Sequence, residues 1–181
     1  MDRQPTLEGQ RLVLRPLRED DWEVLWAVAS DRELWALHPA HDRWQEPVFR
    51  AFFTDALDKG GALLVIDKHS GRAIGSSRFQ AFDPGGGGSV EIGWTFLARN
   101  QWGSGANAEM KRLMLAHAFR FVERVVFRVG EGNVISRMAM ANIGATLTDR
   151  RETSLMAGEP VEHVVYEITR QTFADGPLGA S

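Results

Sequence analysis

A run of small residues is where this sequence first offers chemistry. Arg99-Asn100-Gln101-Trp102-Gly103-Ser104-Gly105-Ala106-Asn107 stands between a strand-like stretch and a long helix-like one. Glycines let main chain approach a ligand closely, and the first N–H groups of a helix lack internal partners, so such a turn is an anion site suited to a pyrophosphate. Alone, the G-x-G spacing is weak evidence, because a tight strand-to-helix connection uses the same residues. A second motif stands further on: Asn133-Val134-Ile135-Ser136 opens another helix after another strand, at positions where helix caps are common.

Other candidate chemistry falls away. The chain has no cysteine, which removes disulfides, thiolate nucleophiles and cysteine metal sites. His38, His41, His69, His117 and His163 show no metal-ligand spacing, so no metal is expected. His117 falls on the apolar side of the long helix and reads as a hydrogen-bonded core histidine. The run Gly85 to Gly88 lacks the Lys-Ser/Thr ending of a phosphate loop and precedes a strand, so it reads as a hairpin connection. The net charge of −3 leaves no footprint for nucleic acid, and the basic group Lys111, Arg112, Arg120, Arg124 and Arg128 reads mostly as a solvated face.

The elements that must position these motifs follow from periodicity. Arg11 to Leu17 alternates and ends at a proline turn, which predicts a short strand; Glu19, Asp20 and Asp21 then start a helix whose apolar face is Trp22, Leu25, Trp26 and Ala29. Residues 31–60, rich in aromatic side chains, predict two short helices joined by a turn. Ala62–Ile66 and Ala73–Phe79 form a hairpin, and Ser89–Phe96 a strand with Val90, Ile92, Trp94 and Phe96 on one face. After the glycine turn comes the strongest helix, then the strand Val125–Val129, the helix Val134–Ile143 stopped by Gly144, and a strand pair from Ala145–Asp149 and Val161–Ile168. This order describes a mixed α/β sheet without internal repeats.

With these motifs in place the chain resembles the GNAT superfamily of N-acetyltransferases. That family's pyrophosphate loop, Q/R-x-x-G-x-G/A, reads NQWGSGA here, and its N-x-x-S helix start reads NVIS. The strand VEIGW, the W-G-x-G turn and a helix ending in G-A bring it closest to the branch of ribosomal-protein N-terminal (RimJ/RimL-like) acetyltransferases. Asn100 at the first loop position departs from the family's Gln or Arg, a change that main-chain donors tolerate. The resemblance covers roughly residues 8–170. It implies a mostly antiparallel sheet of about six to seven strands, splayed between the fourth and fifth, with helices on both faces.

The resemblance also implies the chemistry. Acetyl-CoA is the expected cosubstrate, with Trp102, Gly103, Ser104, Gly105, Ala106 and Asn107 cradling its phosphates. Phe96 and Leu97 are expected to bind the pantetheine arm through main chain, and the N–H near Leu97 to polarise the acetyl carbonyl. Asn133 resembles the asparagine that contacts that arm, and Ser136 the hydroxyl near the sulfur; capping is the other reading of both. Glu91 is the candidate general base for the attacking amine, with a solvated strand residue as the alternative. The family's tyrosine acid is absent, since the only tyrosine, Tyr166, lies in the last strand. His38 and His41, near Trp35 and Trp44, fall where the family forms its acceptor pocket, although such aromatics usually pack a core.

The resemblance implies an amine acceptor, a peptide N-terminus or a small molecule, attacked in a ternary complex; no nucleic acid or membrane partner is expected, and the chain is expected to be a monomer or homodimer. A non-catalytic acyl-CoA-binding module is the alternative. Residues 1–181 are expected as a single domain with a flexible tail from about residue 171, and the charged N-terminus without an apolar segment points to the cytoplasm.

Overall fold

A computed structural model of the chain describes residues 1–179. Its elements run β1 (Leu7–Glu8), β2 (Leu12–Pro16), α1 (Trp22–Ala29), α2 (Glu46–Lys59), β3 (Ala62–Asp67), β4 (Arg72–Asp83), β5 (Ser89–Leu97), α3 (Ala106–Ala118), β6 (Arg124–Gly130), α4 (Val134–Asn142), β7 (Thr146–Met156), β8 (Glu159–Thr169) and α5 (Arg170–Asp175). One sheet has the order β1-β2-β3-β4-β5-β6-β8-β7. The strand beyond the expected number is β1, whose two residues are too short to carry a pattern.

Period-two alternation divides the core between the faces of the sheet. From β3, Leu63 and Val65 join α3, α4, β6 and β8 in one cluster, while Ala62 and Leu64 join α1 and α2 in the other. The second cluster is aromatic: Trp35, Phe49, Phe52, Phe53 and Phe96 are buried in it, with Trp22 stacked on Trp26 at 5.7 Å. Acids start α1 as expected: Asp21 accepts the Arg18 N–H at 2.8 Å and holds the Arg15 guanidinium at 2.6 Å. Residues 31–60 give a single α-helix, α2, preceded by a 3-10 turn at Arg32–Leu34.

Three more expectations change. Val90, Ile92, Trp94 and Phe96 do not share a face: Val90 and Ile92 belong to the α3 cluster, Trp94 and Phe96 to the aromatic one. The cause is a β-bulge, since Arg78 pairs with Gly93 but Ser76 pairs with Phe96, and Trp94 takes φ +56°. The last hairpin is longer than its apolar pattern, because β7 is exposed along nearly its whole length, and Ala157 and Gly158 close it with positive φ at both positions. The expected tail instead begins as α5, capped by Thr169, with Phe173 against Phe119 at 5.2 Å and Leu178 packed on the core. Ala180 and Ser181 lie outside the described residues. Among the described residues, no helix is long and apolar enough to cross a membrane.

Candidate active site

All neighbouring strands pair antiparallel except β5 and β6, which run parallel and meet only at Ser89–Arg124, Val90–Val125 and Glu91–Val126. Beyond Glu91 they separate, at the junction where the splay was expected. β5 stays with β4 through Gly93, Phe96 and Leu97, and β6 stays with β8 to Gly130. A cavity of about 1150 Å³ opens between them, walled also by α3 and α4.

The free edge of β5 belongs to Leu97. The Ala98 N–H donates to Ile74 O on β4 at 2.8 Å, so alternation turns the main-chain groups of Leu97 away from β4. The Leu97 carbonyl accepts the Trp102 indole N–H at 3.0 Å, whereas the Phe96 carbonyl faces Gly75 on β4. Both residues expected to offer main chain to a ligand line the cavity; the free main-chain edge is that of Leu97, while the Phe96 carbonyl faces β4 and its ring packs in the aromatic cluster.

The turn before α3 is built around two left-handed glycines, Gly103 at φ +71° and Gly105 at φ +87°. An added Cβ at either would meet nothing within 4 Å. The Ser104 hydroxyl accepts the Ala106 N–H at 3.3 Å, and the first helical bond is Glu109 N–H to Gly105 O at 3.0 Å, which leaves the Asn107 and Ala108 N–H groups open among the described residues. Trp102, Gly103, Gly105 and Asn107 line the cavity, whereas Ser104 and Ala106 support the turn from behind. Arg11 donates to Ser104 O at 3.1 Å, and Glu109 accepts the Arg11 and Leu12 N–H groups at 2.9 and 3.1 Å, anchoring turn and helix to β2.

Asn133 caps α4, its Oδ1 accepting the Ser136 N–H at 3.2 Å. Capping is thus the work of Asn133, and Ser136 contributes only its main chain to it. Both line the cavity, with the Ser136 hydroxyl left without a partner among the described residues. Glu91, 5% exposed, gives its carboxylate to Arg128 of β6, whose Nε donates to Glu152 of β7 at 2.6 Å. The Glu152 hydrogen bond and the charge of Glu91, working against burial, hold the Arg128 guanidinium above its ordinary value. Tyr166 accepts from Arg137 Nε at 3.1 Å and is not part of the cavity wall.

The cavity wall also carries Trp35, His38, Arg43, Trp94 and His163. His38 Nδ1 accepts the Ala40 N–H at 2.9 Å; burial first, then the charges of Arg43 and His163, push this imidazole down to about 3, so it is neutral. Arg99 holds Asp31 at 2.5 Å, tying this wall to the glycine turn. His41 and Trp44 belong to a separate pocket. His117 is a core histidine, its Nε2 at 2.7 Å from Asp2 O.

One residue read as surface is not. Lys111 is 2% exposed, lines the cavity, and is pushed down to about 7 by burial alone. Its position carried a signal, because Lys111 precedes the buried Met114 and Leu115 by three and four residues on the same helix face.

The sequence matches the family model described as acetyltransferase (GNAT) domain over residues 11–146. The chain belongs to the GNAT acetyltransferase family. It is an acetyl-CoA-dependent N-acetyltransferase by that membership. Similar solved structures share the GNAT fold. A GCN5-related N-acetyltransferase from Brucella melitensis has a TM-score of 0.83 at 20% identity, over 97% of this chain and 82% of that one. RimJ of Mycobacterium smegmatis, in complex with CoA-disulfide, has a TM-score of 0.71 at 18% identity, over 96% and 91%. The ribosomal-protein-S5-alanine acetyltransferase of Vibrio fischeri has a TM-score of 0.66 at 12% identity, over 92% and 97%.

Proposed function

We propose that this GNAT protein transfers the acetyl group of acetyl-CoA to a primary amine by direct attack in a ternary complex. The observation that carries the proposal is the continuity of the cavity: one space runs from the open N–H groups of Asn107 and Ala108, past the free edge at Leu97, to the wall of Trp35, His38 and Arg43. Two substrates can therefore meet inside it. Trp102, Gly103, Gly105 and Asn107 hold the phosphates, with Ser104 and Ala106 supporting the turn behind them, helped by the positive end of α3. Leu97 pairs with the pantetheine arm, and its N–H faces the acetyl carbonyl, where charge develops. Ser136 offers its hydroxyl to the departing sulfur from the first turn of α4.

Glu91 is placed less well for a base than for a brace. Its carboxylate is committed to Arg128, and the Glu91–Arg128–Glu152 chain joins β5, β6 and β7 across the start of the splay. Glu91→Gln is expected to leave coenzyme affinity unchanged and to lower turnover less than about tenfold; a loss of about 10²-fold or more, measured by free thiol, makes Glu91 the base after all.

The acceptor is a peptide N-terminus or a small amine; the likeness to a ribosomal-protein acetyltransferase supports the first. Purified protein with acetyl-CoA and a panel of peptides, polyamines and amino acids tests the reading by thiol release. Coenzyme binding without thiol release across the panel favours the acyl-CoA-binding module, a reading motivated by the engaged Glu91 and by Tyr166 standing outside the cavity wall.

A further inference from the structure

Lys111 sits on the buried face of α3, among Met110, Met114 and Leu115. Its Nζ donates to Thr95 Oγ1 on β5 at 2.8 Å, Thr95 Oγ1 shares a hydrogen bond of 2.8 Å with Ser77 Oγ on β4, and the Phe127 ring of β6 is centred 5.5 Å away. The amine thus stands between the two strands that separate. Among the described residues no carboxylate lies within ion-pair distance of it. The charged groups on the surrounding elements are engaged elsewhere: Glu91 with Arg128, Arg78 with Asp55, and Glu109 with the N–H groups of Arg11 and Leu12. Arg112, beside Lys111 in the chain, is not part of the cavity wall. A buried ammonium without a counter-charge opposes folding, and methionine would fill the same space without that cost, so packing does not explain this lysine.

We infer that Lys111 is the proton carrier of the transfer, a catalytic residue that takes the proton of the attacking amine and returns it to the sulfur. The inference rests on the acetyltransferase reading above. The amine nitrogen bonds to the thioester carbonyl carbon, and the C–S bond breaks with its electron pair going to sulfur. The surplus N–H proton passes to Nζ of Lys111, and Nζ then protonates the thiolate, which leaves as free thiol. Thr95, itself bonded to Ser77, fixes the position of Nζ. A group that titrates near neutrality both takes and gives a proton efficiently there.

Lys111→Met and Lys111→Arg test this in the full chain, with coenzyme affinity by calorimetry, thiol release with the amine panel, and the lysine Nζ titration followed by NMR. The wild type is expected to show one lysine titrating near 7 that is missing from Lys111→Met. Both variants are expected to keep coenzyme affinity, to lose about 10²-fold or more in kcat, and to lose the rise of rate with pH. Lys111→Met should fold at least as stably as the wild type. Wild-type kcat in Lys111→Met, or an Nζ that stays charged above about pH 9, overturns the inference. A wild type that binds CoA but releases thiol with no amine overturns the acetyltransferase reading instead, and the carrier with it.

The cavity wall at Arg43 holds an independent feature, an excess of buried positive charge. Arg43 is 7% exposed and lies 5.6, 4.8 and 5.0 Å from the ring centroids of Trp35, Phe52 and Trp94. Arg78, 2% exposed, packs on the same Trp94 ring at 4.9 Å. Among the described residues Asp55 alone forms an ion pair with either of them, meeting Arg78 Nη1 at 2.9 Å, and it is shared with Lys59; the charge of Asp42 acts on Arg43 without an ion pair, and Arg78 Nε and Nη2 have no partner among the described residues. Asp42 lines the separate pocket with His41, and Glu33, the acid in the cavity wall nearest in sequence, is exposed. Aromatic faces attract a guanidinium but do not neutralise it.

We propose that the acceptor is an amine that also carries a carboxylate, received by Arg43; this too rests on the acetyltransferase reading. The wild-type protein decides it without a variant that could misfold. Glycine, alanine, aspartate and dipeptides beginning with them are each compared with the matching carboxamide, by thiol release and by calorimetry with CoA present. The carboxylate forms are expected to be preferred by about tenfold or more in kcat/KM or in affinity. Carboxamides that bind and react as well as the carboxylates, or thiol release confined to neutral amines, overturn the subsite while leaving acetyl transfer intact; no binding by any carboxylate-bearing amine overturns it as well.

Discussion

Lys111 places opposed demands on one residue, and stability against pH separates them. Its folded pKa is lowered from the ordinary 10.5 to about 7. Between these values the unfolded chain binds the proton and the folded one does not, so stability rises with pH across that window; at lower pH the full cost of burying the charge is present. Lys111→Met is therefore expected to stabilise the fold most below about pH 7, by up to about 5 kcal/mol, and not at all above about pH 10.5, as denaturant titrations at several pH values would read. The two helix-start residues of α4 divide differently. Asn133→Ala removes the cap and should cost about 0.5–2 kcal/mol, whereas Ser136→Ala leaves the cap bond intact and should change only the rate. A Ser136→Ala protein with wild-type melting temperature and wild-type saturated rate would remove Ser136 from the chemistry. Asn133 and Ser136 were visible from their spacing after a strand, but which of them caps needed coordinates, since both residue types suit either position.

At the scale of elements, the glycine turn and the bulge of β5 shape the site. The positive φ of Gly103 and Gly105 is a conformation that side chains rarely adopt, yet the space a Cβ would enter is open in the protein itself. Gly105→Val is accordingly expected to lose about 1–3 kcal/mol of stability to backbone strain while keeping its fold, and to lose coenzyme binding because the valine occupies the phosphate position. Calorimetry checks the second part; unchanged affinity would take the phosphates away from this turn. The turn was legible because it depends on local residue types. The bulge was not, since one extra residue in β5 follows from pairing with β4 and exchanges the faces of Trp94 and Phe96 against a simple alternation. β7 was hidden for another reason: as an exposed edge strand it has no apolar stripe to betray its length.

At the scale of the whole molecule, two core clusters pack the two faces of the sheet, and polar groups that titrate are buried beside them. His38 is kept neutral by its surroundings, with a folded pKa of about 3 against the ordinary 6.5. The unfolded chain takes up this proton first, so the stability that goes with the neutral imidazole is complete above about 6.5 and is lost progressively as the pH falls toward 3. Thermal melts from neutral to acid pH should show this loss, and His38→Gln should flatten it; an equal loss in the variant would assign it to other groups. Local residue types and periodicity determined the order of elements, the class of sheet and the two strand-to-helix motifs, because turns, caps and amphipathic faces are written in neighbouring residues. Tertiary structure alone decided which side chains meet in the splay: Lys111 from α3 with Thr95 from β5, Glu91 with Arg128, and Arg43 with Trp94. Those contacts join residues distant in sequence, and whether a lysine is solvated or desolvated depends on what the rest of the chain packs around it.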